Sequence, residues 1–172
     1  MKRILVIGCG GSGKSTFSKK LHSVTGLPLV HLDQEYWLPY WVEPSPQDWE
    51  EKVKKLIAEP SWILDGNYGG TMDLRIARAD TVVYLNFPSW KSLLRVLWRM
   101  IRSYGKSRPD MPAGCTERFD RKFLAYVAAY NKTRHPGIMA RLAKAPASTT
   151  VYVWKNDREI RQFLDQLSGS RK

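Results

Sequence analysis

Arg3-Ile-Leu-Val-Ile-Gly8-Cys-Gly-Gly-Ser-Gly13-Lys14-Ser15-Thr16 decides how this chain is read. Four consecutive aliphatic residues, Ile4 to Ile7, suit a strand buried on both faces. The glycines at 8, 10, 11 and 13 let the backbone bend where side chains would clash, so that successive amides point into one concavity. Lys14 then opens an amphipathic helix running to about Val24, which turns the positive end of its dipole toward the same concavity. The pattern G-x-x-x-x-G-K-[ST] is complete, with a strand before it and a helix after it. It predicts that Gly8, Gly10, Gly11, Ser12, Gly13, Lys14, Ser15 and Thr16 wrap the phosphates of a nucleoside triphosphate, with ATP the expected one. Lys14 would reach the β- and γ-phosphates, and the Ser15 hydroxyl would be a ligand for Mg²⁺, which prefers hard oxygen donors.

Beyond this loop, strand-like runs recur at Leu29–Leu32, Trp62–Leu64, Thr81–Leu85 and Thr150–Trp154, separated by helix-like segments. That alternation predicts an α/β fold with a parallel sheet covered by helices. Strand C-termini in such sheets face the ligand crevice, so acids placed there are candidates for chemistry. Trp62-Ile63-Leu64 is followed by Asp65 and then Gly66, which makes Asp65 the expected metal-orienting carboxylate, acting through water. An Asp opening an Asp-Gly turn is the competing reading. Leu29-Val30-His31-Leu32 ends in Asp33, which can accept a proton from an attacking hydroxyl, position an acceptor, or cap the next turn. His31, one step earlier in the chain than Leu32, reads as a packed residue.

Two excursions leave this framework. Residues 34–60 hold Pro39, Pro44 and Pro46 with Tyr36, Trp37, Tyr40, Trp41 and Trp49, and predict a short helix only from Asp48 to Ala58. Their aromatics read as core with a pocket edge. Residues 103–136 begin with a turn-rich stretch and continue as a helix from Glu117 to about Lys132. Between the two, Trp90, Leu93, Leu94, Leu97, Trp98 and Ile101 recur at helical spacing and predict a core-facing stripe, with Lys91, Arg95, Arg99 and Arg102 on the opposite side. After residues 65–70, a short helix carries Arg75 and Arg78, either of which can clamp an anionic acceptor bidentately.

The 172 residues are 43% hydrophobic and 26% charged, which suits one domain with a single sizeable core and does not suggest disorder. The formal charge is +12. Residues 91 to 134 contribute eleven Lys/Arg against three Asp/Glu, and such a concentration favours an anionic partner. Two cysteines, Cys9 and Cys115, are too few for a disulfide framework or a four-cysteine zinc site. The apolar run after Lys2-Arg3 is cut by Gly8, and no stretch reaches transmembrane length, so a cytoplasmic protein without membrane association is expected.

The loop from Gly8 to Thr16 and the run Trp62 to Gly66 resemble the small-molecule and nucleotide kinase branch of P-loop proteins. More narrowly, His31-Leu32-Asp33, Asn67-Tyr68, Thr71-Met72-Asp73-Leu74-Arg75, and Arg108-Pro109-Asp110-Met111 with Gly114-Cys115 resemble the FlaR-related DNA topology modulation proteins, which are adenylate-kinase-like. The resemblance implies a three-layer P-loop NTPase with a five-stranded parallel sheet in the order 2-3-1-4-5. It also implies an acceptor-binding excursion at 34–60 and a basic lid at 103–136, with Arg118, Arg121 and Arg134 closing over the phosphates and the loop around Asn156-Asp157 touching the adenine. Two departures bear on activity. The loop lacks the proline of adenylate kinases, and Asp65-Gly66-Asn67-Tyr68 stands where they carry Asp-Gly-Phe-Pro-Arg, which argues against adenylate kinase activity. The expected function is Mg²⁺-dependent phosphoryl transfer from ATP to a small anionic or hydroxylated acceptor, with Lys14, Asp33, Asp65, Arg118 and Arg121 as catalytic candidates and Asp33 and Arg75 on the acceptor. The alternative is a nucleic-acid-associated ATPase whose basic segment meets DNA.

Overall fold

In the computed structural model, residues 1–106 and 111–169 are described. Arg108, Pro109 and Asp110, which carry part of the family resemblance, lie outside them. Strands β1 (Arg3–Gly8), β2 (Leu29–His31), β3 (Trp62–Asp65), β4 (Thr81–Leu85) and β5 (Thr150–Trp154) form one sheet in the order β2-β3-β1-β4-β5, all pairs parallel. The expected strand order holds.

Side chains alternate across the sheet and build a core on each face. Ile4, Val6, Ile63, Val83 and Leu85 pack with Phe17 and Leu21 of α1 (Lys14–Thr25) and with Phe163 and Leu164 of α8 (Asp157–Gly169). Leu5, Ile7, Leu64, Val82 and Tyr84 face the other way, among residues of the remaining layer. That layer consists of α2 (Leu32–Tyr36), α3 (Pro46–Ala58), α4 (Met72–Arg78), α5 (Ser89–Ser103), α6 (Arg121–Thr133) and α7 (His135–Leu142).

Helix boundaries follow local chemistry. Ser45 caps α3 by accepting from the Asp48 amide, and Pro46, which has no amide hydrogen to lose, takes the first turn. The helix therefore starts two residues before Asp48. Asp120 caps α6 by accepting from the amides of Lys122 and Phe123, so that helix begins at Arg121 and not at Glu117. The short helices α2 and α7 were not legible as separate elements.

The apolar stripe expected to bury α5 does not do so. Trp90, Leu94, Trp98 and Ile101 are 65%, 58%, 61% and 81% exposed, whereas Ser92, Val96 and Met100 are buried. The reason lies beneath the helix. A Cβ on Gly11 would stand 2.4 Å from the Ser92 carbonyl oxygen and 2.8 Å from Val96 Cγ2. Backbone approach this close needs the slim Ser92–Val96 edge, and tryptophan on that edge would hold the helix off.

Candidate active site

The glycine-rich loop is held from three sides. β3 ends at Asp65, so Gly8 at the tip of β1 has no strand neighbour there. The Asn67 side chain fills that place, accepting from the Gly8 amide at 2.9 Å and donating to its carbonyl at 2.7 Å. Helix α5 presses on Gly11, and the Phe123 ring of α6 lies where a Cβ on Gly10 would be, 2.6 Å from Cζ. Gly11 and Gly13 have φ of 78° and 93°, the left-handed region that glycine enters without penalty. Lys14 leans across its own loop and donates to the Cys9 carbonyl at 3.1 Å. Burial pushes the Cys9 thiol up to about 11 against the opposing pull of Lys14, so it stays protonated at neutral pH.

Turning α5 over changes what its cations do. Arg95 reaches the loop, donating to the Ser12 carbonyl at 3.4 Å, and holds both oxygens of Asp157 at 3.0 and 2.9 Å; Lys91 adds a third contact to Asp157 at 2.7 Å. Burial works against the Asp157 carboxylate, but the hydrogen bonds and charges of Lys91 and Arg95 win and hold its pKa below the usual value. Arg99 pairs with the buried Glu117 at 3.0 Å. Three of the four cations of α5 are thus paired with acids, and Arg95 reaches the phosphate loop as well. These arginines were legible as a basic face, but the direction of that face was not.

A cleft of about 1510 Å³ runs from this loop to the aromatic excursion. The loop residues Gly10 to Thr16, Asp33, Tyr68, Arg95 and Arg118 all line it. Asp33 receives the Tyr68 hydroxyl at 2.6 Å. Burial, then the Asp33 carboxylate beside it, keeps that hydroxyl protonated far above the ordinary tyrosine range. Asp65 is not among the residues that line the cleft, although Gly66 and Asn67, next in the chain, are. It is 4% exposed; one carboxylate oxygen meets His31 Nδ1 at 2.9 Å, and Oδ1 is buried with no hydrogen-bond partner among the described residues. The packed reading of His31 agrees with this contact. Ser15 lines the cleft and Asp65 keeps one carboxylate oxygen without a hydrogen-bond partner among the described residues, and both are hard oxygen donors of the kind Mg²⁺ takes.

Arg75 corrects an expectation. It is fully buried and aims into the 66–71 turn, donating to the carbonyls of Gly66 at 2.8 Å, Tyr68 at 2.7 Å and Thr71 at 3.3 Å, and also to that of Asn67. Burial lowers its pKa to about 9, which leaves it charged at neutral pH. With its donors on four carbonyls and no exposed surface, it braces the turn that presents Asn67 and Tyr68 and does not clamp an acceptor. Arg78 donates to the Ile57 carbonyl at 3.2 Å, away from the cleft.

Of the lid candidates, Arg118 lines the cleft and lies over the Trp41 ring, 5.3 Å from its centroid. Arg121, on the first turn of α6, is exposed and outside the lining, and Arg134 is exposed over the Tyr126 ring. Asn156 caps α8 through the amides of Arg158 and Glu159, while Asp157 borders the cleft.

No protein-family model and no curated protein matches the chain. Solved structures do match in fold. A shikimate kinase from Acinetobacter baumannii in complex with shikimate aligns over 100% of this chain and 95% of its own, at 19% identity and a TM-score of 0.57. A shikimate kinase from Bacteroides thetaiotaomicron aligns over 98% and 96%, at 15% identity and a TM-score of 0.55. A deoxyadenosine kinase from M. mycoides with bound dATP aligns over 95% and 98%, at 14% identity and a TM-score of 0.51. The chain has the fold of the P-loop kinases, over its whole described length. No helix among the described residues is long and apolar enough to cross a membrane.

Proposed function

We propose that the protein is a kinase that transfers the γ-phosphoryl group of ATP to a small hydroxylated acceptor. The observation that carries this reading is the single cleft joining the phosphate loop to Asp33. Phosphoryl transfer needs little covalent chemistry from the protein; it needs positioned reactants and charge neutralisation. The loop amides and Lys14 would grip the triphosphate, with Arg95 and Arg118 neutralising charge from the sides. Ser15, with Asp65, would hold Mg²⁺, which would add positive charge beside the phosphates. Asp33 would take the proton from the acceptor hydroxyl, its orientation set by the Tyr68 hydrogen bond. The lid segment carrying Glu117 and Arg118 excludes water, which otherwise consumes the phosphoryl group.

The resemblance to DNA topology modulation proteins keeps a second reading in view, an ATPase acting on nucleic acid. Lys91, Arg95 and Arg99 are already paired with Asp157 and Glu117, which leaves less unmatched positive charge on this face for a duplex and weighs against it.

The test is ADP release across a panel of nucleosides, nucleotides, sugars and hydroxylated acids including shikimate, with calorimetry of Mg·ATP. Lys14→Ala should abolish ATP binding and all turnover. Basal hydrolysis that no acceptor raises would count against a kinase, and a strongly salt-dependent shift on duplex DNA would favour the second reading.

A further inference from the structure

The far end of the cleft is walled by Trp37, Trp41 and Tyr68, with Met111 and Asp33 beside them. These rings form a braced surface. Trp37 and Trp41 meet edge to face at 5.3 Å, and Tyr68 is backed by Tyr36 at 4.5 Å and Trp49 at 5.0 Å. The lid closes this wall from outside. Cys115 Sγ contacts the Leu38 carbonyl at 3.5 Å, and a Cβ on Gly114 would lie 3.5 Å from the Tyr40 amide. Tyr40 and Trp41 have φ of 65° and 64°, an unfavourable backbone for bulky side chains. Two consecutive residues are thus held in left-handed geometry where Trp41 is turned against the cleft.

The charges at this end are as telling as the rings. Asp33 contributes a carboxylate to the lining. Arg75, which would have been the natural anion clamp, is buried on backbone carbonyls. Among the described residues lining this end, the cation is Arg118, and its guanidinium lies on the Trp41 face. Among the described residues at this end, a carboxylated or phosphorylated acceptor would meet the Asp33 carboxylate, and the Arg118 guanidinium is already engaged on the Trp41 ring. An uncharged flat ring would find the aromatic surfaces of Trp37 and Tyr68 with Trp41 set at an angle beside them, and a hydroxyl on it would find Asp33.

We infer that the acceptor is a nucleoside-type molecule, an uncharged aromatic base carrying a sugar hydroxyl, stacked on Trp37 with Trp41 at its edge and the hydroxyl on Asp33. This rests on the kinase reading above and names its substrate class. In the step, the acceptor hydroxyl oxygen forms a bond to the γ-phosphorus of ATP. The bond from that phosphorus to the β–γ bridging oxygen breaks, ADP leaves, and the hydroxyl proton passes to Asp33. The products are a nucleoside monophosphate and ADP.

The experiment measures binding of adenosine, cytidine, guanosine and thymidine, their 5′-monophosphates and D-glycerate, by calorimetry with a non-hydrolysable Mg·ATP analogue present. Tryptophan fluorescence is followed in the same samples, and phosphorylated products are read by ³¹P spectroscopy with ATP. At least one nucleoside should bind more tightly than its own monophosphate and than glycerate, quench tryptophan emission and be phosphorylated. Trp37→Ala should weaken it about tenfold, the scale of one lost base stack, and Trp41→Ala should weaken it by less, while Trp41→Phe keeps most of the affinity. Tighter binding of a monophosphate or of glycerate would overturn the assignment, as would unchanged affinity in both Trp41→Ala and Trp37→Ala. Intact ATP-analogue binding with no nucleoside binding would overturn the acceptor class alone; absent ATP-analogue binding would sink the kinase reading itself.

Discussion

The Asn67 side chain occupies the position of a missing strand beside Gly8, exchanging both hydrogen bonds with its backbone at 2.9 and 2.7 Å. β3 stops at Asp65, so without Asn67 the amide and carbonyl at the mouth of the phosphate loop would be unpaired on that side. Asn67→Ala should cost about 1–3 kcal/mol, the usual penalty for part-buried polar groups left without partners. At about 2–4 °C per kcal/mol for a chain of this size, the melting temperature should fall by several degrees. Affinity for Mg·ATP should fall with it, because the loop loses its anchor. Asn67→Asp should be no better, since a carboxylate facing the Gly8 carbonyl has no proton to give. A normal melting curve with normal ATP affinity for both variants would refute the anchoring role.

Neighbouring glycines in the loop should respond differently to alanine. At Gly11 the new methyl would lie 2.4 Å from a backbone oxygen of α5, with φ at 78°. Neither the helix backbone nor the dihedral can yield cheaply. At Gly10 the obstacle is the tip of the Phe123 ring, 2.6 Å away, which can swing aside. Gly11→Ala should therefore lower the denaturant midpoint far more than Gly10→Ala, and Phe123→Leu should restore part of the smaller loss only. Equal effects of the two substitutions would show that α5 does not seat on the loop as described.

That seating also marks where sequence reading stops. The strand run Ile4–Ile7, the loop and the alternation of elements were legible because each rests on local spacing: continuous burial of a central strand, glycine at bends, a helix start at Lys14. The rotation of α5 was not legible. Its sequence offers a broad apolar stripe and a narrow Ser92–Val96–Met100 edge, and periodicity favours the broad one. What decides is a partner 81 residues away, Gly11, which needs a slim surface against it. Arg75 failed for a similar reason. Nothing local says that a turn at 66–71 will present four carbonyls to one guanidinium, so an arginine shortly after a glycine-rich loop reads as a ligand. Asn67 was quoted within a motif, but its bond to Gly8 spans 59 positions and leaves no periodic trace.

Asp157 couples the cleft to pH. Its folded pKa lies below the unfolded value because Lys91 and Arg95 hold the charged form. The stabilisation is therefore complete above the ordinary carboxylate range and is lost as pH falls through the lowered folded value. Wild-type protein should lose melting temperature on acidification below about pH 4 more steeply than Asp157→Asn, and the two curves should converge at low pH. With the Asp157 side chain 44% exposed, solvent screens the pair, and the difference at neutral pH should be under about 1 kcal/mol. Parallel acid limbs for the two proteins would remove the Lys91–Asp157–Arg95 bridge from the account.

Arg75 separates bracing from catalysis. A residue that bound an acceptor would, on substitution, leave the fold intact and raise KM. Arg75 instead satisfies four carbonyls of the turn that positions Asn67 and Tyr68, so its loss leaves those oxygens unpaired in a buried site. Arg75→Met should cost about 3 kcal/mol or more, lowering the melting temperature by about 6–12 °C. Arg75→Lys should recover little of it, because an ammonium cannot span the fork of contacts that the planar guanidinium makes. Hydrogen exchange of the 66–71 amides should speed up in both variants. Should Arg75→Met melt like the wild type while acceptor KM alone rises, the side chain turns outward in solution and the substrate-clamp reading returns.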